Sequence, residues 1–193
     1  TGTMTPSLTD LALLIPELIL VSMALALLLG ASRIRNASLV TTATVIAAMV
    51  AAVVAAVIAG RLSPDSPSLV GFSGMIIVDG YSQFFKVLIA AALTLATLLS
   101  VQRVNTDHVR PAEYHALLLL AATGMMLAAS STDLLTLYLG LELTTLSSYV
   151  LVGITVDKPE SNEAAIKYFL LGSFASALFL YGIALAYGAT GST

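Results

Sequence analysis

The 193-residue chain is 58% hydrophobic and 10% charged, with a formal net charge of −3 and a mean hydropathy of +0.98, whereas soluble domains carry roughly 25% charged residues. This excludes a soluble monomer, and the eight basic residues are scattered singly, so no patch suits a phosphate backbone and nucleic acid is not an expected partner. The absence of cysteine excludes disulfides, thiolate zinc sites and cysteine-ligated iron–sulfur clusters, and His108 and His115 are too few for a haem or copper centre of their own.

A helix crossing the roughly 30 Å hydrocarbon core needs about 20 mostly apolar residues. Six stretches qualify, at residues 11–30, 39–60, 82–101, 113–130, 133–153 and 163–188. They predict an all-α polytopic transmembrane helical bundle. The first stretch has no basic n-region and no small-residue cleavage site, and it continues into further spans, so it is read as a retained helix and not as a signal peptide. Pro16 marks its first turn, which places Glu17 near an interface where the helix dipole favours an acid.

In the second span, Ala47, Ala51, Ala55 and Ala59 form one stripe of small residues, and Ala48, Ala52, Ala56 and Gly60 form another. Both predict close helix packing. The loop over 61–81 carries Pro64, Pro67, Gly71 and Gly74 around the β-prone run Met75 to Val78, which points to a small external hairpin. Lys86 opens the third span and is expected to snorkel to the outer surface. His115 enters the fourth span near its start, where proton relay and interfacial packing are both open readings.

An ionised side chain at mid-bilayer costs at least about 2.5–3.5 kcal/mol, so each one needs a reason. Glu142 is the clearest case. At 1.5 Å per residue it lies roughly 14 Å from one end of the fifth span and 16 Å from the other. Tyr138, Thr145 and Tyr149 join it in a polar stripe on a leucine-rich helix. A neutral carboxylic acid bonded to a neighbouring helix and a proton-handling carboxylate are the two readings, and the second is favoured.

Ser161 or Asn162 is the expected N-cap of the sixth span, which puts Lys167 about one turn inside a helix start, where the dipole disfavours a cation. Either Lys167 snorkels as a partner of Glu163, or it lies on an ion route toward Glu142. The two differ in depth by roughly 10 Å, so a direct pair is not expected.

Basic residues retained on one side orient the bundle. Arg33, Arg35, Arg103, Arg110 and Lys158 fall in loops on one side, against Arg61 on the other. The cytoplasm is expected on the richer side, with both termini outside.

The run SSTDLLTLYLGLELTTLSSYVLVG from Ser130, and SNEAAIKYFLLGSFASALFLYGIALAYGATG from Ser161, resemble the subunit N family of the respiratory NADH:quinone oxidoreductase, complex I. LIPELIL at Leu14 to Leu20, VDGYSQFFKVLI at Val78 to Ile89 and GMMLAASSTDLLTLYLGLE at Gly124 to Glu142 extend the resemblance over nearly the whole chain. The resemblance implies an antiporter-like, proton-translocating subunit of about fourteen helices built around inverted repeats, with this chain as its beginning. Residues 1–112 would hold the first three helices and the external loop, and residues 113–193 the start of the channel repeat. Glu142 matches the family's helix 5 glutamate and Lys167 a helix 6 lysine, while the helix 7 lysine that partners the glutamate lies beyond Thr193.

The implied partners are the other membrane subunits of complex I, the lipid bilayer of a bacterial inner or equivalent energy-converting membrane, and a quinone bound elsewhere in the complex. No cofactor is expected on this chain; flavin and iron–sulfur clusters belong to partner subunits. The competing readings are a subunit of a multi-subunit sodium/proton antiporter or a hydrogenase-type membrane arm, and a scaffold that only fills the membrane arm.

Overall fold

The computed structural model describes residues 8–31, 36–62, 68–106 and 109–193. Seven α-helices run in order: α1 (Leu8–Leu13), α2 (Ile15–Gly30), α3 (Ala37–Arg61), α4 (Gly80–Thr106), α5 (Pro111–Ser130), α6 (Leu134–Val152) and α7 (Pro159–Thr190). Five of them, α3 to α7, are long and apolar enough to cross a membrane, and α2 is a shorter apolar helix. The expected first span is therefore divided. Leu14 leaves helical geometry between α1 and α2, where Pro16 starts a new helix and removes an amide from the ladder. At 1.5 Å per residue the 16 residues of α2 reach about 24 Å.

Each span is built from what its ends can satisfy. The Asn36 side chain caps α3 by accepting from the Ser38 and Leu39 amides, and the Asp133 side chain caps α6 by accepting from the Thr136 amide. Asp79 precedes α4, its carboxylate accepting from the Ser82 amide at 2.8 Å while the Ser82 hydroxyl accepts from the Asp79 amide at 3.0 Å. The start of α7 differs from expectation: neither Ser161 nor Asn162 is the N-cap, since the helix begins at Pro159 after Lys158. Their side chains turn back instead to the Val152 and Val156 carbonyls.

The four helices α2 to α5 form a ring: α2 packs on α3, α3 on α4, α4 on α5 and α5 on α2, and α3 also touches α5. α2 and α4 therefore stand at the far corners. The core inside the ring joins Leu20, Ala24 and Leu27 of α2, Ala47, Ala48 and Ala51 of α3, and Leu119, Ala122 and Met126 of α5. One alanine stripe of α3 is used as expected, because Ala47, Ala51 and Ala55 are buried. The other runs out of the interface, with Ala56 and Gly60 exposed.

Outside the ring, α6 packs along α5 and α7 along α6. The α5–α6 seam is close enough to require glycine. A Cβ on Gly124 would meet the Gly140 carbonyl oxygen at 2.5 Å, and a Cβ on Gly140 would meet the Ala128 amide nitrogen at 2.8 Å. Thr144 of α6 crosses this seam, donating to the Ala121 carbonyl at 3.2 Å and to its own Gly140 carbonyl at 3.0 Å.

At one end of the bundle, β1 (Leu69–Gly71) pairs antiparallel with β2 (Ile76–Val78), Leu69 opposite Val78, around a turn in which Phe72, Ser73 and Gly74 all have positive φ. This hairpin forms where the turn residues and Met75 to Val78 predict it. It also ties three helices together. The Phe72 amide donates to Asp10 of α1, Ile76 bridges Ser131, and the Thr132 amide donates to the Met75 carbonyl at 3.0 Å. The loop prolines Pro64 and Pro67 and the basic residues Arg33 and Arg35 lie outside the described residues.

Candidate functional site

Glu142 stands eight residues into α6, about 12 Å from its hairpin end and about 15 Å from its other end. The stripe around it divides its work. Ser176 of α7 donates its hydroxyl to Glu142 Oε1. The Tyr138 hydroxyl lies 2.9 Å from Ser176 Oγ; with the single serine proton directed at the carboxylate, Tyr138 is the donor to Ser176. Tyr138, Ser176 and Glu142 thus form one hydrogen-bonded file across the α6–α7 contact. Tyr149 continues the contact toward the other end, packing edge-on against Tyr168 at 4.8 Å and Phe169 at 5.7 Å. Its ring lies in the space left by Gly172, where any Cβ would collide with it. Thr145 takes no part across the interface, because its hydroxyl bonds back to the Leu141 and Glu142 carbonyls of its own helix.

Lys167 is paired with Glu163 one turn earlier on α7, and both side chains are exposed. Because α7 begins at Pro159, Lys167 is two turns inside the helix start, not one. At that distance the dipole penalty has largely faded, and the pair with Glu163 has the favourable order, acid before base.

Lys86 overturns its expectation. It does not snorkel: its side chain is 0% exposed, and its Nζ lies 2.8 Å from Glu17 Oε1, itself 5% exposed. The pair spans the far corners of the ring, since Glu17 is on α2 and Lys86 on α4. Glu17 does occupy the first turn behind Pro16, as expected, but it points into the core and not to an interface. Removing one partner of such a buried pair typically costs about 3–5 kcal/mol, because the other charge is stranded. Taken singly, each residue has a cheaper reading, a first-turn acid and a snorkelling lysine, and that hides the pair. Their shared position in the first two turns of helices that start at the same end was the available signal.

His115 is buried at the opposite end of the same ring. Its Nδ1 lies 2.8 Å from the Pro111 carbonyl, which can only accept, so Nδ1 carries a proton and Nε2 of the neutral ring accepts from Thr41 of α3 at 3.4 Å. His115 thereby bridges α5 and α3. Near that end a cavity of about 650 Å³ opens between α4, α5 and the α6–α7 turn, lined by Ser100, Tyr114, Lys158, Glu160 and Ser161 among others.

Residues 131–193, which hold α6 and α7, match the family described as NADH:quinone oxidoreductase/Mrp antiporter, TM. With the helical fold, this defines an antiporter-like integral membrane subunit. The similarity is to a particular member of that class. The chain is 46% identical over 131 residues to NADH-quinone oxidoreductase subunit N 1 of Koribacter versatilis, covering 68% of this chain and 26% of that protein. It is 40% identical over 181 residues to NADH-quinone oxidoreductase subunit N 2 of Rhizobium meliloti, covering 93% and 36%. Its fold superposes on a chain of respiratory complex I from Thermus thermophilus with a TM-score of 0.74 and 34% identity, covering 92% of this chain and 37% of that one. The chain is homologous to NADH-quinone oxidoreductase subunit N, and the matches span between about a quarter and about a third of the length of these relatives.

Proposed function

We propose that the chain serves a proton-translocating membrane subunit of a redox-driven NADH:quinone oxidoreductase, with Glu142 as the intramembrane proton-handling carboxylate and Lys167 on the access route from the loop end. The observation that carries this reading is the file Tyr138–Ser176–Glu142, which holds a carboxylate near mid-span in contact with hydroxyls able to relay a proton. Burial raises a carboxyl pKa and an approaching cation lowers it. A lysine moving toward and away from Glu142 would make it release and capture a proton in turn, and in this reading that lysine belongs to a later helix. The flavin, the iron–sulfur clusters and the quinone site belong in this reading to partner subunits, and other membrane subunits pack beside this one.

In the assembled complex, Glu142→Gln keeps size and hydrogen bonding but removes titration. Proton translocation in proteoliposomes should be abolished or strongly lowered, together with electron transfer coupled to it, while Glu142→Asp should be milder. Normal pumping by a fully assembled Gln variant would make Glu142 a structural hydrogen-bonding group.

The hairpin end faces the outside in this reading, because Arg110 and Lys158 lie in loops at the other end. A membrane-impermeant thiol reagent should label Met75→Cys from outside and leave Asp157→Cys unlabelled; the reverse pattern would invert the orientation.

A second reading keeps the same residues in a sodium/proton antiporter, since the matching family description names both. Purification of the native protein separates them: flavin and iron–sulfur subunits accompany it in the first, only membrane partners in the second.

A further inference from the structure

The ring of α2 to α5 contains a second group of ionisable and polar side chains, separated from Glu142 by α5. Within α4 the residues facing the core follow one helical stripe, Gln83, Lys86, Ala90, Leu93, Thr97 and Ser100, all buried. Among the described residues, every buried side-chain polar atom without a hydrogen bond lies on this stripe or on the carboxylate it faces. These atoms are both oxygens of Glu17, both amide atoms of Gln83, Nζ of Lys86 and the hydroxyl of Thr97. Elsewhere in the interior the hydroxyls are satisfied, as Thr44, Thr123, Ser130 and Ser147 show by bonding to carbonyls of their own helices. Buried polar atoms are nearly always paired, and internal water is the usual partner where side chains and backbone supply none.

We propose that Glu17, Gln83 and Lys86 form a second intramembrane site, whose ligand is internal water and whose function is proton exchange. The ammonium lies 2.8 Å from the carboxylate, but that contact does not give either group a well-directed hydrogen bond. An ion pair in a low-dielectric core needs its remaining donors and acceptors met if the charges are to persist. Transfer of one proton from Nζ to Oε1 gives a neutral amine and a neutral carboxyl with no change in net charge. A water held by the Gln83 amide, one turn toward the hairpin end, then has both a donor and an acceptor to exchange with.

Competing charges on the surrounding helices sit at their ends. Arg61 is the last residue of α3, Glu113 and His115 lie in the first turns of α5, and Asp10 and Asp79 flank the hairpin. The hairpin end is the nearer end of the bundle, with Lys86 about 9 Å from the start of α4.

The test is infrared difference spectroscopy on the assembled complex carrying Glu142→Gln, between acidic and alkaline buffer and after transfer to D2O. With Glu142 replaced, the result does not depend on whether Glu142 handles protons. Because the transfer leaves the net charge unchanged, the expected result is a carboxyl band that is present in both buffers, shifts in D2O and is lost on Glu17→Gln. Where Glu17→Gln alone fails to assemble, Glu17→Gln/Lys86→Met leaves no charge stranded and serves as the reference. If no band depends on Glu17 in either comparison, the pair is a static, dry crosslink and the proposal is wrong.

Discussion

The ring of α2 to α5 and the pair α6–α7 handle the same problem, a carboxylate inside an apolar helix, in opposite ways. In the ring the acid meets its base within the described fold, and both disappear from the surface. On α6 the acid meets only hydroxyls, and the helix beyond it is open: half of the most apolar stretch of α5 is buried, against 6% of that of α7. The exposed face of α7 carries Leu170, Leu171, Phe174, Leu178 and Tyr181. A carboxylate closed in with its base can exchange protons only with what is enclosed beside it, whereas a helix with one finished face can present a carboxylate to whatever packs next.

The two regions are joined by the glycine seam, so breaking the seam should have the largest effect. Gly140→Leu forces a branched side chain against the Ala128 backbone and the Gly124 carbonyl, neither of which can rotate away. Overpacking of this kind typically costs about 1–3 kcal/mol and more where backbone is the obstacle. The complex should fail to assemble, or should assemble without α6 and α7 in place. The yield of intact complex on native gels measures this, and Gly60→Leu, at a glycine with open space around it, is the control that should assemble normally.

The part of this contrast that was legible in the sequence follows from chemistry. Five of the six spans, the hairpin and the mid-helix position of Glu142 all depend on local composition and rise per residue, which a single chain carries; the break at Leu14 in the first span does not follow from them. The pairing of Glu17 with Lys86 did not follow, because a lysine near a helix end has a cheap alternative, snorkelling, and only the ring geometry removes it. The hydroxyl of Ser176 on Glu142 depends on the register of α7 against α6. That register depends on Tyr149 entering the gap at Gly172, a contact between residues far apart in the chain. The start of α7 was misplaced for a similar reason: Ser161 and Asn162 are good capping residues, and their side chains are drawn off by carbonyls at the end of α6.

Lys167 sharpens the comparison at intermediate size. In contrast to Lys86, it has its charge in an exposed pair with Glu163, and exposed i,i+4 pairs contribute about 0.3–0.5 kcal/mol at most. Loss of the pair should therefore leave assembly untouched, and any effect on pumping reflects a role in ion access. Lys167→Ala should lower the pumping rate in part, and Lys167→Arg should keep most of it. An alanine variant that pumps at the full rate would return Lys167 to a solvated surface residue. The corresponding Lys86→Ala should instead reduce assembly, since it strands the buried carboxylate of Glu17.

The smallest effect is expected at Asp133, which ties the start of α6 to the end of α7 on the hairpin side. Its carboxylate caps α6 through the Thr136 amide at 2.9 Å, and its other oxygen accepts from the Thr193 hydroxyl after α7. The Thr193 hydrogen bond first, and then the Thr136 amide, hold its pKa below the ordinary aspartate value. A carboxyl whose pKa is lowered by folding stabilises the fold above its unfolded pKa, and loses that contribution as pH falls through the folded value. The capping contribution should thus be fully present at neutral pH and disappear only in acid. Asp133→Ala removes a helix cap, typically worth about 1 kcal/mol, and Asp133→Asn keeps a capping oxygen without the charge. In thermal unfolding of the purified complex, the alanine variant should be slightly less stable than the parent at neutral pH, the difference should shrink in acid, and the asparagine variant should fall between them. A difference that stays constant across that range would show that the uncharged side chain, and not the carboxylate, sets the start of α6.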